Sequence, residues 1–424
     1  MVQKEIIRQV VLDYREVIRE SELFKRKIVT EEKTNVVLMG IRRGGKSSVM
    51  FLRIQDLISR GIAWDQIAYI NFEDERLLEM NLSDLDSIIQ VQNEFSSQKS
   101  FYFFDEIQII EGWEHFARRC ADMKINVWIT GSNAKMLSRE IESILGGRYL
   151  PMEIYPYNFS EFLEVQDCEI QLTADLGSRA KGKRKRFFFE YLQYGGFPES
   201  IGMRDKRAYL RNIYQKIYMG DIALRNNIRN DNALRILFKK IAESVMREVS
   251  YTNLYNGLKT IGVEISKSSV INYIAYAKDA YLIFSIQNFA AKSIEKESNP
   301  KYYFMDNGIL NLFLVNRDAA LLENLVAVAL YRKFREELFF FKGKNEVDFF
   351  VPSNSLAVQV SWSIQDPLTR KRETESLTAL AKSYRTKQNL IVTVDESEHI
   401  TVNETNIDVI TADDFLLKIE NDIL

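Results

Sequence analysis

The stretch Val36-Val37-Leu38-Met39-Gly40-Ile41-Arg42-Arg43-Gly44-Gly45-Lys46-Ser47-Ser48 constrains this chain more than any other. An apolar strand runs into Gly-x-x-x-x-Gly-Lys-Ser, and a helical pattern follows from Val49 through Ile58. Gly40, Gly44 and Gly45 let the backbone curl until its N–H groups point inward at phosphate oxygens. Lys46 supplies a point charge for β- and γ-phosphates, and the Ser47 hydroxyl is placed for Mg²⁺. The start of the helix, at Ser48, adds its positive end, and Arg42 and Arg43 lie in the turn itself. The alternative, a glycine-bearing turn with a surface lysine, leaves the flanking strand and helix unexplained. A phosphate-binding P-loop in an α/β layer is expected.

Bulk properties exclude several other classes. At 424 residues the chain has room for two or three domains. Lys+Arg 57 against Asp+Glu 59 gives a net charge of −2, which favours no polyanionic partner in bulk. Cys120 and Cys168 are the only cysteines, so neither a disulfide framework nor a cysteine-rich metal site is expected. With His115 and His399 as the only histidines, His-based zinc chemistry and a Ser-His-Asp hydrolase are set aside. The N-terminal residues lack a signal-peptide core, and no charge-free apolar run approaches ~18 residues. A cytoplasmic protein with no membrane partner is expected.

The rest of the first domain supplies partners for the loop. Residues 6–27 read as an amphipathic helix, with Ile6, Val10, Val11, Tyr14 and Ile18 on one stripe. Phe101-Tyr102-Phe103-Phe104 suits a strand buried on both faces of a parallel sheet, and it ends in Asp105-Glu106. Open α/β sheets bind ligands at that end of their strands. Asp105 is placed to join Ser47 around Mg²⁺, and Glu106 to polarise the attacking water. A further strand, Asn126–Gly131, ends in Ser132-Asn133, where a polar side chain can sense the γ-phosphate or merely cap the next helix. Arg148, after Gly146-Gly147, can reach phosphate in cis or from a neighbouring subunit, or can pair with Glu153.

These residues together resemble a prokaryotic group of AAA-type ATPases. The resemblance rests on Gly40 through Ser47, Ile70-Asn71-Phe72-Glu73-Asp74, Phe104-Asp105-Glu106-Ile107-Gln108, Ile129-Thr130-Gly131-Ser132 and Gly147-Arg148-Tyr149. It continues through Pro156–Phe162, Tyr194-Gly195-Gly196-Phe197-Pro198-Glu199 and Tyr303-Phe304-Met305-Asp306-Asn307-Gly308. It implies an ATPase domain followed by a C-terminal domain of unknown function. ATP is expected over GTP because no Asn-Lys-x-Asp base-reading motif occurs, and the resemblance implies the same.

Four regions are expected: an ATPase domain over 1–163, a helical lid or linker over 164–230, a winged-helix-like region over 231–304, and a C-terminal α/β domain over 305–424. Arg179 to Arg186 carries six basic residues in eight positions, and reads as a mobile boundary or an exposed helix start. Helices over 231–279 fit a winged helix, whose third helix would offer Lys267, Ser268, Asn272, Tyr273, Tyr276 and Lys278 outward. In the last region Glu323 on a helix, Asp348 on a strand and Gln359 on the next strand follow the layout of restriction-endonuclease-like nucleases. The nuclease lysine is replaced by Ser361, so Glu323, Asp348 and Gln359 read as a degenerate site. Three functions remain open: an Mg²⁺–ATP hydrolase switching a nucleic-acid or protein partner, in which a homo-oligomer is allowed; an ATP-gated DNA nuclease; and a module that holds nucleotide without hydrolysis.

Overall fold

The computed structural model describes residues 3–26, 34–131, 143–173, 176–292, 299–315 and 318–424. The chain divides into two compact units, Met1–Tyr155 and Pro156–Leu424.

The first unit is built on a five-stranded, wholly parallel sheet in the order β2-β3-β4-β1-β5. Its strands are β1 (Asn35–Met39), β2 (Ile67–Asn71), β3 (Phe101–Asp105), β4 (Asn126–Gly131) and β5 (Tyr149–Glu153). Every residue of β1 is buried, as a central parallel strand covered on both faces requires. Helices Lys4–Glu20, Lys46–Ser59, Leu85–Phe95 and Trp113–Asp122 belong to the same unit. Val36, Leu38, Val49, Ile54, Tyr69, Phe103 and Trp128 share one core with Ile18 of the first helix.

That first helix is shorter than its periodicity suggests. It ends at Glu20, because Ser21 is extended, and its buried stripe starts at Ile7 rather than Ile6. The stripe also contains Arg15, whose guanidinium donates to the Ile67 carbonyl at 2.9 and 3.0 Å. An arginine can occupy a core-facing position when its donors meet backbone acceptors that would otherwise be stranded.

The second unit opens with helices Phe159–Val165, Ser178–Tyr194 and Lys206–Lys216, the last running on as a π-helical segment over Ile217–Leu224. Helices Asp231–Glu243, Tyr251–Thr260 and Lys267–Asp279 follow, the last capped by Ser266. An eight-stranded mixed sheet completes the unit in the order β12-β13-β11-β10-β9-β8-β6-β7. Here β6 is Ile283–Asn288, β7 Lys301–Phe304, β8 Phe339–Lys342, β9 Glu346–Val351 and β10 Leu356–Val360. The remaining strands are β11 (Gln388–Thr393), β12 (Glu398–Val402) and β13 (Thr405–Thr411). The β6–β7 hairpin thus joins the same sheet as the strands beyond residue 338. Helix Asp318–Phe334 is buried from Ala320 through Leu330 without a break, so it is a core helix rather than a surface one.

The basic run is the exposed helix start rather than a boundary: it opens helix Ser178–Tyr194 with Arg179, Lys181, Lys183 and Arg186 exposed, but Arg184 within it is 1% exposed. Arg184 pairs with Asp413 and Asp414 at 2.9 Å each, and donates to the Gln171 carbonyl and the Thr173 hydroxyl. Lys185 bonds the Val394 carbonyl and pairs with Asp395.

Two segments far apart in sequence, Tyr194–Glu199 and Tyr303–Gly308, form one junction. The Gly196 N–H donates to Asp306 Oδ2 at 2.9 Å, and Asn307 Nδ2 donates to the Leu192 carbonyl at 2.9 Å. Gly195 sits at φ +68°, and a Cβ there would lie 2.1 Å from Asp306 Oδ1. Only glycine fits. The buried Asp306 carboxyl is raised to about 6 by burial, which the Gly196 and Gly308 N–H groups partly offset.

Candidate functional site

The loop after β1 takes its shape from its glycines and one strained arginine. Gly40 is at φ +140°, and a Cβ on it would lie 1.9 Å from the Ile154 carbonyl oxygen just beyond β5. Arg43 at φ 63° and Gly45 at φ 101° carry the chain into helix Lys46–Ser59, for which Gly45 is the N-cap. The Lys46 side chain is buried. Its amino group donates to the Gly40 carbonyl at 3.0 Å and the Ile41 carbonyl at 3.2 Å, and lies 4.0 Å from Glu106 Oε1. Ser47 and Ser48 open the helix exposed to solvent. Arg42 reaches Glu73 Oε1 at 3.2 Å, while Arg43 is exposed.

Asp105, at the end of β3, is 2% exposed and is held from both neighbouring strands. Tyr69 of β2 donates to its Oδ2 at 2.5 Å, and Thr130 of β4 donates to its Oδ1. Burial and the adjacent Glu106 carboxylate push the Asp105 carboxyl up, while hydrogen bonds from Ser47, Thr130 and Tyr69 pull it back. The pull from Ser47 brings together the two residues expected to share Mg²⁺.

Glu106 is only partly buried and sits in the left-handed region at φ 55° and ψ 39°. A non-glycine residue there costs about 1–3 kcal/mol, so the surroundings must enforce it. They do so twice. The Glu106 N–H donates to Thr130 Oγ1 at 2.9 Å, and Gln108 Nε2 donates to Glu106 Oε2 at 2.5 Å. Lys46, Ser47, Asp105 and Glu106 therefore converge at the carboxyl edge of the parallel sheet.

Tyr69, Thr130 and Gln108 were not legible as members of this group. Gln108 and Thr130 stand within motifs that carry the family resemblance, but the sequence gives neither a role there, and Tyr69 carries no such signal. Ser132, expected to contact the γ-phosphate, lies outside the described residues.

Arg148 does not join the group within its own chain. It precedes β5, whose Tyr149 pairs with Asn35 at the start of β1, whereas the loop follows Met39 at the other end. That separation is roughly 13 Å along the strand. Arg148 pairs with Asp122 at 2.6 Å, not with Glu153, which accepts from the Tyr155 hydroxyl instead.

In the second unit, Glu323 lies on helix Asp318–Phe334, Asp348 on β9 and Gln359 on β10. Asp348 Oδ2 accepts the Val360 N–H at 2.9 Å, and Gln359 Oε1 accepts the Asp348 N–H at 2.7 Å. Glu323 Oε1 accepts the Tyr303 hydroxyl at 2.8 Å. The outward face expected of helix Lys267–Asp279 is narrower than its sequence suggests. Lys267, Ser268 and Asn272 are exposed, but Tyr273 is buried and Lys278 turns inward to Ser285 Oγ at 2.6 Å.

Residues 32–163 match the family described as AAA domain, a span that takes in the loop after β1 and all five strands of the first sheet. Residues 185–320 match a domain of unknown function, DUF8612, which spans the Gly196–Asp306 junction. An uncharacterized protein of Methanocaldococcus jannaschii is 33% identical over 98% of this chain and 93% of its own length. The chain belongs to the family of that protein. An uncharacterized protein of Haemophilus influenzae is 29% identical over 90% of this chain and 94% of its own length. Among solved structures, a Walker-type ATPase of Pyrococcus abyssi aligns over 74% of this chain and 96% of its own, at 14% identity and a TM-score of 0.42. That likeness is too loose to bear on function.

Proposed function

We propose that this chain binds ATP with Mg²⁺ at residues 40–48, hydrolyses it, and uses the cycle as a switch on a nucleic-acid or protein partner. The supporting observation is the meeting of Lys46, Asp105 and Glu106, with Asp105 buried and bonded from both sides. Gly40 leaves no space for a Cβ because the Ile154 backbone lies against it, which seats the loop on the sheet edge, where its N–H groups are available to phosphate. A buried carboxylate beside the Ser47 hydroxyl is the donor set that Mg²⁺ prefers, since it favours one or two protein oxygens plus phosphate.

Bound there, the divalent ion supplies positive charge to the phosphates. Lys46 exchanges its loop carbonyls for phosphate oxygens, keeping the charge of its ammonium in a dry site. Glu106 accepts a proton from the water that attacks the γ-phosphorus, and Gln108 and Thr130 fix where its carboxylate stands. Arg148, paired with Asp122 at the far end of β1 from the loop, is read as contacting phosphate from a neighbouring subunit of a homo-oligomer rather than in cis, which the Asp122 pair supports. The helices over 231–279 with the β6–β7 hairpin serve as a winged-helix-like docking module, consistent with the inward-turned Lys278 and the small exposed basic face.

ATP binding and steady-state phosphate release, measured in wild type, Lys46→Ala and Glu106→Gln, test the reading. Lys46→Ala is expected to lose binding, and Glu106→Gln to bind normally while turnover falls on the order of 100-fold or more. Binding without turnover in wild type would leave only a structural nucleotide.

A further inference from the structure

The carboxylates of the second unit surround a lysine that comes from an unexpected strand. Lys301 of β7 is 0% exposed, and its amino group lies 2.8 Å from Glu346 Oε1, 3.6 Å from Asp348 Oδ1 and 3.9 Å from Glu323 Oε1. The Glu346 carboxylate is its nearest partner, and Asp348 and Glu323 add longer ionic attraction. Burial alone disfavours a charged amine, yet Glu323, Asp348 and Glu346 outweigh it and hold the lysine protonated.

The nuclease layout implies a divalent ion between Glu323 and Asp348, and the residues present do not fit one. Such an ion sits roughly 2.0–2.6 Å from its oxygens, which here places it against the Lys301 ammonium. With Lys301 and Glu323 both buried, the repulsion between two cations this close is screened far less than at an open surface. One oxygen of each carboxylate is also engaged, Glu323 Oε1 by the Tyr303 hydroxyl and Asp348 Oδ2 by the Val360 N–H, and the Gln359 side-chain carbonyl accepts the Asp348 N–H. The Gln359 amide is tied down at its other end by Glu373 Oε2 at 2.5 Å and the Glu346 carbonyl at 3.2 Å. Among the described residues no group of three or more acidic, histidine or cysteine side chains is arranged to hold a metal ion. Ser361, in the place of the nuclease lysine, is turned to the Ser363 carbonyl at 2.9 Å.

We propose that Lys301 is the resident cation of this carboxylate cluster and takes the position a metal ion would need. The cluster then ties β7, helix Asp318–Phe334 and β9 together, and the second unit does not cut nucleic acid by metal-assisted hydrolysis.

Mn²⁺ titrated into the full chain without nucleotide and followed by electron paramagnetic resonance tests this. Wild type and Asp348→Asn are expected to retain the same amount of ion. A Mn²⁺ bound by wild type and lost in Asp348→Asn or Glu323→Gln would overturn the proposal. Lys301→Met is expected to melt at a lower temperature and to regain part of that loss with Mn²⁺, which the double variant Lys301→Met/Asp348→Asn does not. A Lys301→Met protein as stable as wild type would also overturn it. If Lys301→Met does not fold, the comparison of wild type with Asp348→Asn decides alone.

Discussion

Thr130 does two things with one hydroxyl: it donates to Asp105 and accepts the Glu106 N–H. Its removal leaves a buried carboxylate oxygen short of a donor and a strained peptide without its anchor. Thr130→Val keeps the shape of the side chain and loses only these bonds. Stability is expected to fall by about 1–3 kcal/mol, the cost of unpaired buried polar groups. Turnover should fall further than nucleotide affinity does, because Glu106 positioning matters most in the hydrolytic step. Denaturant melts and separate determinations of kcat and KM check this; a raised KM with kcat unchanged would assign Thr130 to binding instead. The P-loop and Asp105-Glu106 were legible because spacing along one chain segment defines them. Thr130, Tyr69 and Lys301 were not, because each acts from a strand that only sheet pairing brings alongside. Residue type alone carries no such address.

Among the elements, helix Ser178–Tyr194 shows how a charge run misleads. Six basic residues in sequence suggest a solvated face, but helical geometry turns Arg184 inward while Lys181 and Lys183 face out. Its partners Asp413 and Asp414 open the last helix, Ala412–Glu420, so one arginine joins segments more than two hundred residues apart. Arg184→Met strands those carboxylates, and a loss of about 3–5 kcal/mol is expected from breaking a buried pair on one side. Thermal melts of Arg184→Met beside Lys181→Met, a change at an exposed position of the same helix, make the comparison. Similar melting temperatures for the two variants would contradict the buried role. Strands of the first sheet were readable from their apolar runs ending in polar turns. The β12 edge strand was not, because its only apolar residues, Ile400 and Val402, are two alternating half-buried positions in a five-residue segment, too short a pattern to stand out.

On the scale of the whole molecule, the second unit carries buried acids whose protons belong to the fold. Glu420 accepts the Phe159 and Ser160 N–H groups at 2.9 and 2.8 Å. Burial raises its carboxyl from the ordinary 4.5 to about 7, against the pull of those N–H groups and of Arg332. Asp306 is likewise raised to about 6 by burial. Both folded values exceed the unfolded ones, so between those values the folded state binds more protons. Stability from these groups is therefore full below the unfolded values and is lost as pH rises toward about 7. The melting temperature is expected to drop between about pH 5 and about pH 7.5, and Glu420→Gln to shrink that drop. An unchanged drop in Glu420→Gln would remove Glu420 from the account. Among the described residues no helix is long and apolar enough to cross a membrane. The α/β class and the P-loop sheet were legible from the first hundred and fifty residues. The sharing of one sheet by β6, β7 and the later strands was not, since strand pairing across intervening helices leaves no local pattern.

Glu106 is proposed as the hydrolytic base and Lys46 as the phosphate ligand of one site. The most direct measurement is a single-turnover experiment with γ-labelled ATP on wild type and Glu106→Gln. Wild type is predicted to release labelled phosphate, and Glu106→Gln to retain intact ATP on the protein over the same interval. Release at the wild-type rate from Glu106→Gln would contradict the assignment.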